Sequence, residues 1–127
     1  MELIIAAKLE AQEVDFFNRY IGSRLRGKIR WIGEVTDDER NQLLVNALCL
    51  LHPITWDEPF GLTLIESMAC GTPVVAFNKG SSSEIIVNKK TGYIVKTTAE
   101  MIRAVNKIGE ISRKDCRLHV EKNFNLK

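Results

Sequence analysis

Cysteine is sparse in this 127-residue chain, and its number and spacing exclude two architectures. Three cysteines, Cys49, Cys70 and Cys116, are an odd number, widely spaced and set among apolar neighbours. They exclude a disulfide framework and a cysteine metal site, and read as buried thiols of a reducing compartment. No apolar run approaches the ~20 residues that span a bilayer. Met1 leads directly into a strand-like run, so no cleavable leader is expected and the cytosol is the default location. A net charge of +2 is too small to argue for nucleic acid or an anionic membrane as partner. Repeats, low-complexity tracts and internal linkers are also lacking. What is present is an ordinary globular balance, 45% hydrophobic and 27% charged, in a chain of the size of one domain with one core.

The apolar pattern alternates short runs with helical periods. Leu3 to Ala7 reads as a strand buried on both faces. From about Glu10 to Leu25, Val14, Phe17, Ile21 and Leu25 recur at helical spacing, and Gly27 ends that helix. Ile29 to Gly33 makes a second strand. Thr36-Asp37-Asp38-Glu39 is a capping box opening a helix to about Asn46. Leu48 to His52 forms a third strand, Val74 to Phe77 a fourth and Gly92 to Val95 a fifth. Between them, Ser81-Ser82-Ser83-Glu84 caps a short helix through Val87. Thr97-Thr98-Ala99-Glu100 caps another with Met101, Ile102, Val105 and Ile108 inward, and Ser112 to about Phe124 closes the chain. Strands alternating with helices mean an α/β domain with a parallel sheet covered on both faces. Ligands of such sheets sit beyond the carboxyl ends of the strands.

The segment after the third strand carries the chemistry. An apolar strand ends at His52-Pro53, a turn rich in proline, glycine and acid follows, and a helix opens beside Gly61 and closes at Gly71-Thr72-Pro73. The first turn of that helix leaves N–H groups unpaired, with roughly half a positive charge at its tip. A diphosphate docks well there. Gly61 lets a ligand approach the backbone of Phe60, Gly61, Leu62 and Thr63. Glu58 lies just before the helix and Glu66 one turn inside it, each able to bond sugar or ribose hydroxyls. Spacing alone leaves open the plainer reading, in which Glu58 merely complements the dipole and Glu66 is a solvated helix residue.

These residues carry a resemblance. Residues 52–95 resemble the donor-binding half of retaining GT-B glycosyltransferases, in particular the family 4 group. That group has an acidic residue, Pro-Phe-Gly-Leu, a second glutamate at this spacing and Ala-x-Gly-x-Pro-Val. Here they stand as Glu58, Pro59-Phe60-Gly61-Leu62, Glu66 and Ala69-Cys70-Gly71-Thr72-Pro73-Val74. The similarity extends more weakly through Thr36–Glu39, Asn78–Glu84 and the closing helix at Cys116-Arg117, Val120-Glu121 and Phe124. It implies a Rossmann-like domain of about five parallel strands that binds a nucleotide-diphospho-sugar. Glu58 would contact the donor sugar as the catalytic-site carboxylate, and Glu66 the ribose. Backbone amides of Gly61, Leu62 and Thr63 would hold sugar and phosphate oxygens. Transfer would retain the anomeric configuration and use neither metal nor cofactor, the main task being stabilisation of the departing diphosphate.

The sequence also departs from the family. An earlier strand and helix with a Gly-Arg and a Lys that neutralise the diphosphate do not precede Met1, nor does an acceptor-binding domain. Lys8, at the end of the first strand, is a partial substitute or a solvated side chain. The family's order places the missing strand between residues 3–7 and 48–52. Either these close up in the order 2-1-3-4-5, or exposed strand edges invite self-association. Among weaker candidates, His52 faces the expected pocket or is structural, Trp56 lines it or braces the turn, and Lys79 faces a phosphate or solvent. His119 reads as a surface or end-capping residue. The serine run lacks the partners of a nucleophile, and no cluster has metal spacing.

The resulting expectation is the donor-binding part of a cytoplasmic retaining hexosyltransferase, inactive without its acceptor half. The full-length enzyme would be free in the cytoplasm or peripheral to a membrane. The alternative is a non-catalytic nucleotide- or phosphate-binding module working with a separate chain. A flavodoxin-like signalling domain is disfavoured because no acidic cluster follows the first strand.

Overall fold

The computed structural model describes residues 1–7, 9–55 and 61–124. The expectations for Lys8, Trp56, Glu58, Pro59 and Phe60 lie outside these residues. The chain forms two compact units, Met1–Arg40 and Asn41–Lys127.

In the first unit, strands β1 (Leu3–Ile5) and β2 (Ile29–Trp31) pair in parallel with Leu3 opposite Ile29. The pairing is closed at both ends, by Leu3 N–H donating to the Lys28 carbonyl (2.7 Å) and Ile32 N–H to that of Ile5 (2.9 Å). The expected regular helix over 10–25 is instead a succession of tight and wide turns. A 3₁₀ turn (Ala11–Glu13) leads into α1 (Val14–Phe16), a π turn (Phe17–Ile21) and a second 3₁₀ turn (Gly22–Arg24). The reason is visible in the side chains. Phe17 sets its ring edge against Trp31 with centroids 4.9 Å apart, while Val14 is 39% exposed. The apolar spacing therefore does not present one continuous stripe, and the wide turn absorbs the mismatch. No described residue of this unit is buried, and Leu3, Ala6 and Ala7 are exposed. That corrects the expectation of a first strand covered on both faces.

Helix α2 (Asp37–Asn46) begins at the predicted capping box. Thr36 N–H donates to Glu39 Oε1 (3.0 Å) and Glu39 N–H donates to Thr36 Oγ1 (3.2 Å). The helix runs into the second unit, whose three-stranded parallel sheet has the order β3 (Leu50–His52), β4 (Val74–Phe77), β5 (Gly92–Val95). Leu50 stands opposite Val74, and Val74 opposite Gly92. The close pairing needs glycine at 92: a Cβ there would lie 2.0 Å from the Val74 carbonyl oxygen. The third strand starts two residues later than predicted, and Leu48 is exposed. Among the described residues the five strands form two sheets, β1-β2 and β3-β4-β5. The single order 2-1-3-4-5 is not formed, because β1 pairs only with β2 and β3 only with β4.

Helices α3 (Leu62–Ala69), α4 (Ser82–Ile85), α5 (Thr98–Asn106) and α6 (Arg113–Asn123) complete the second unit. Its core gathers Leu64, Met68, Val74, Val75, Ile85, Met101, Ala104, Cys116 and Val120, with α3 against α6. In α5 the inward positions are Met101 and Ala104, whereas Ile102 is 59% exposed, contrary to the periodic reading. The α5 cap is as predicted, Thr97 Oγ1 accepting from Glu100 N–H (3.1 Å). Ser81 makes no side-chain cap to α4; it is buried instead. Of the cysteines only Cys116 is buried, Cys49 and Cys70 being half-buried thiols. His119 does serve as an end cap, but for another helix: its Nε2 meets the last carbonyl of α4, Ile85 O, at 2.7 Å.

Candidate functional site

The structure places the predicted phosphate end of α3 as follows. Gly61 is the residue before the helix, buried, with φ +59° in the left-handed region. A Cβ at this position would meet Ile85 Cδ1 at 2.4 Å and Ser81 Oγ at 2.5 Å. Glycine is thus required twice, for the backbone angle and for the approach of the following loop. Its carbonyl accepts from Leu64 N–H (3.1 Å) and Ile65 N–H (3.2 Å), starting the helical ladder. The N–H groups of Leu62 and Thr63 donate to no described residue. Leu62 is 64% exposed and Thr63 is exposed, so the helix tip is wet on that side. Open N–H groups at the positive end of an eight-residue helix are what an anionic oxygen needs.

At its other end α3 is held in a Schellman motif. Gly71 (φ +77°) and Thr72 donate their N–H groups to the carbonyls of Met68 and Ser67, both at 2.9 Å. Ser67 Oγ adds a bond to the Thr72 carbonyl (3.0 Å). Arg113 locks the following turn, donating to Thr72 Oγ1 (2.9 Å), the Val45 carbonyl (2.8 Å) and the Ala47 carbonyl (2.7 Å). A helix fixed at its carboxyl end and packed on α6 points its amino end at a defined place.

Glu66 lies one turn into α3, half-buried, with Oε2 out of contact with solvent. Its charge reaches Cys70, whose thiol is pushed up first by burial and then by Glu66. His52 is half-buried at the end of β3, opposite Ala76. Lys79 is exposed just beyond β4, and its ammonium has no described partner. It lines an open cavity of about 420 Å³ with Thr55, Phe77, Asn78, Val95, Lys96, Thr97 and Thr98. These residues all follow or end a strand, at the sheet edge where ligands of parallel sheets collect. The sequence reading singled out Lys79 and missed Lys96; its position directly after β5 was the signal available. The structure therefore sets Gly61, Leu62 and Thr63 together at the helix start. Glu58, Phe60 and Lys8 lie outside the described residues.

With this geometry in view, the similarity to known proteins is specific. The family described as glycosyl transferases group 1 matches residues 10–123. The chain belongs to that family. This group 1 chain is 37% identical over 108 residues to sucrose synthase 6 of Arabidopsis thaliana, a match covering 81% of the chain and 11% of the relative. It is 34% identical over 85 residues to the alpha-1,3/1,6-mannosyltransferase ALG2 of Dictyostelium discoideum, covering 66% of the chain and 20% of the relative. The chain thus spans a small part of the length of the curated relatives it matches. In fold it superposes on Anabaena HepE, solved with UDP, at a TM-score of 0.87 and 21% identity over 98% of the chain and 37% of HepE. AviGT4, a glycosyltransferase involved in avilamycin A biosynthesis, gives 0.71 at 26% identity, covering 95% of the chain and 38% of AviGT4. The two parallel sheets with their helices are those of the Rossmann-like domains of GT-B glycosyltransferases.

Proposed function

We propose that this group 1 chain forms the donor-binding part of a hexosyltransferase that takes a nucleotide-diphospho-sugar and retains its anomeric configuration. The supporting observation is the start of α3, where the N–H groups of Leu62 and Thr63, two exposed residues beside Gly61, donate to no described residue in a chain of this family. Three of the solved relatives are complexes of HepE with UDP, UDP-glucose, or UDP and glucose, which makes a uridine diphosphate sugar the first donor to test.

In this reading the diphosphate lies against the α3 tip, whose dipole takes up the negative charge that grows as the glycosidic bond breaks. Glu66 holds the ribose, and Glu58 positions the donor sugar. His52 and Lys79, which follow or end strands of the second unit, serve the ligand without bond-making roles. Neither metal nor cofactor takes part. The acceptor is brought by a part of the enzyme outside this chain, so residues 1–127 alone bind donor but turn over little or none. The compartment is the cytoplasm, and strand edges without a paired neighbour among the described residues allow copies to associate.

Calorimetry of the chain with UDP-glucose, GDP-mannose and ADP-glucose tests the donor role. Glu66→Ala should weaken the preferred donor by about tenfold to a hundredfold, the loss of one or two hydrogen bonds to a charged group. Unchanged affinity in that variant would remove the ribose assignment. Proton NMR of the first-formed product of the full enzyme reports retention directly.

A further inference from the structure

The small net charge conceals a segregation. Between Phe16 and Gly33 stand Arg19, Arg24, Arg26, Lys28 and Arg30 and no acidic residue. This stretch carries +5, and the remaining 13 basic and 16 acidic residues carry −3. The same 18 residues contain Phe16, Phe17, Tyr20 and Trp31. Phe17 and Trp31 are spent on each other, edge to face. Phe16 and Tyr20 are not: they are 60% and 49% exposed, one ring against the other with centroids 4.9 Å apart.

Most of the cations are uncompensated. Only Arg30 is in an ion pair, with Glu2 at 3.0 Å, among the described residues. Arg24 donates to the Tyr20 carbonyl, which holds a full positive charge against the backbone of the exposed tyrosine without neutralising it. Arg19, Arg26 and Lys28 are exposed. Val14 and Ile32, at either end of the stretch, are exposed apolar side chains as well.

We propose that this exposed stretch of the first unit docks on an anionic lipid surface, with Phe16 and Tyr20 at the headgroup–acyl boundary and Arg19, Arg24, Arg26 and Lys28 among the lipid phosphates. Aromatic bulk ringed by arginine and lysine is the composition that lies in a bilayer interface. The charge rejects a second copy of this chain as occupant, since like patches would meet. The ring geometry disfavours a single-stranded nucleic acid. Bases stack on free aromatic faces, whereas the Phe16 and Tyr20 rings lean on each other at 42°. Nothing in this docking depends on the donor site.

Sedimentation of the purified chain with vesicles tests it, phosphatidylcholine alone against phosphatidylcholine mixed with phosphatidylglycerol, at low and physiological salt. Binding should require phosphatidylglycerol and weaken with salt. Arg19→Gln/Arg26→Gln should lower the partition coefficient about tenfold, these being exposed positions whose exchange leaves the fold intact. Phe16→Ser/Tyr20→Ser should remove the binding that persists at physiological salt. UDP-glucose affinity, measured on the same samples, should be equal in all variants, and a failure to bind nucleotide would leave the lipid result standing. Equal partition into both vesicle types, insensitivity to the aromatic exchange, or capture of a single-stranded oligonucleotide in preference to vesicles would each overturn the proposal.

Discussion

At the scale of single residues, two glycines show how little room the second unit leaves. Gly61 tolerates neither a side chain nor the loss of its left-handed angle. Gly92 has an ordinary backbone angle, and its constraint is purely contact, with the Val74 carbonyl where a methyl would stand. Gly92→Ala must push β4 and β5 apart and should cost about 3 kcal/mol, read as a lowered urea midpoint. Cys116 makes a second residue-scale prediction. Its thiol is fully buried, with Sγ facing the Thr91 carbonyl at 3.5 Å. Burial, against some relief from Arg113, pushes it up to about 11 from the ordinary 9.0. The folded state therefore favours the protonated thiol. That contribution is complete below pH 9 and is lost as pH rises toward 11. Urea midpoints measured up to pH 11 should fall along this limb, and Cys116→Ala should flatten the slope even though it lowers the midpoint itself.

At the scale of elements, caps were the most legible feature of the sequence. Thr36 with Glu39 and Thr97 with Glu100 have local hydrogen bonds written into four consecutive residues, and both are found. The Glu39 carboxyl is held below its ordinary 4.5, first by the Thr36 N–H and then by the Thr36 hydroxyl. A lowered value means support for α2 that is present above pH 4.5 and fades as acid protonates Glu39. The protection of the Thr36 amide, its exchange rate relative to the unstructured chain at the same pH, should fall through that range, and Glu39→Gln should make this protection independent of pH there. The Ser81 cap failed for a reason outside its own four residues: Gly61 brings a neighbouring loop against the serine, which packs instead of capping. The segment 10–25 failed likewise, since helical spacing cannot reveal that Phe17 turns toward Trp31. Periodicity reports which residues are apolar, and tertiary partners decide where each one goes.

At the scale of the whole molecule, the alternation of strands and helices foretold the parallel α/β class, while the grouping of strands into two sheets was not legible. Sheet order depends on which edges meet, and apolar runs of three to five residues look alike in any order. The candidate site divides the same way. The glycine and the helix start were readable because backbone demands and spacing mark them. Lys96 was readable only as a residue directly after β5, because it takes the parallel sheet to bring the ends of β4 and β5 to one cavity. The two units also differ in substance. The second has a core including Leu64, Met68, Val75 and Val120, whereas the first has no buried described residue. Hydrogen exchange should therefore separate them, with Ile4 and Arg30 amides exchanging at least about a hundredfold faster than those of Val75 and Ala76. Uniform protection across both sheets would contradict this division.

The three bonds of Arg113 bear on how the protein is made. Its guanidinium reaches back across 66 and 68 residues to the carbonyls of Ala47 and Val45. During synthesis, at about 5–20 residues per second, those oxygens wait several seconds for their donor to leave the ribosome. Over that interval the end of α2 stays hydrated and unclamped, and a nascent chain halted before residue 113 is exposed to holdase chaperones and proteases.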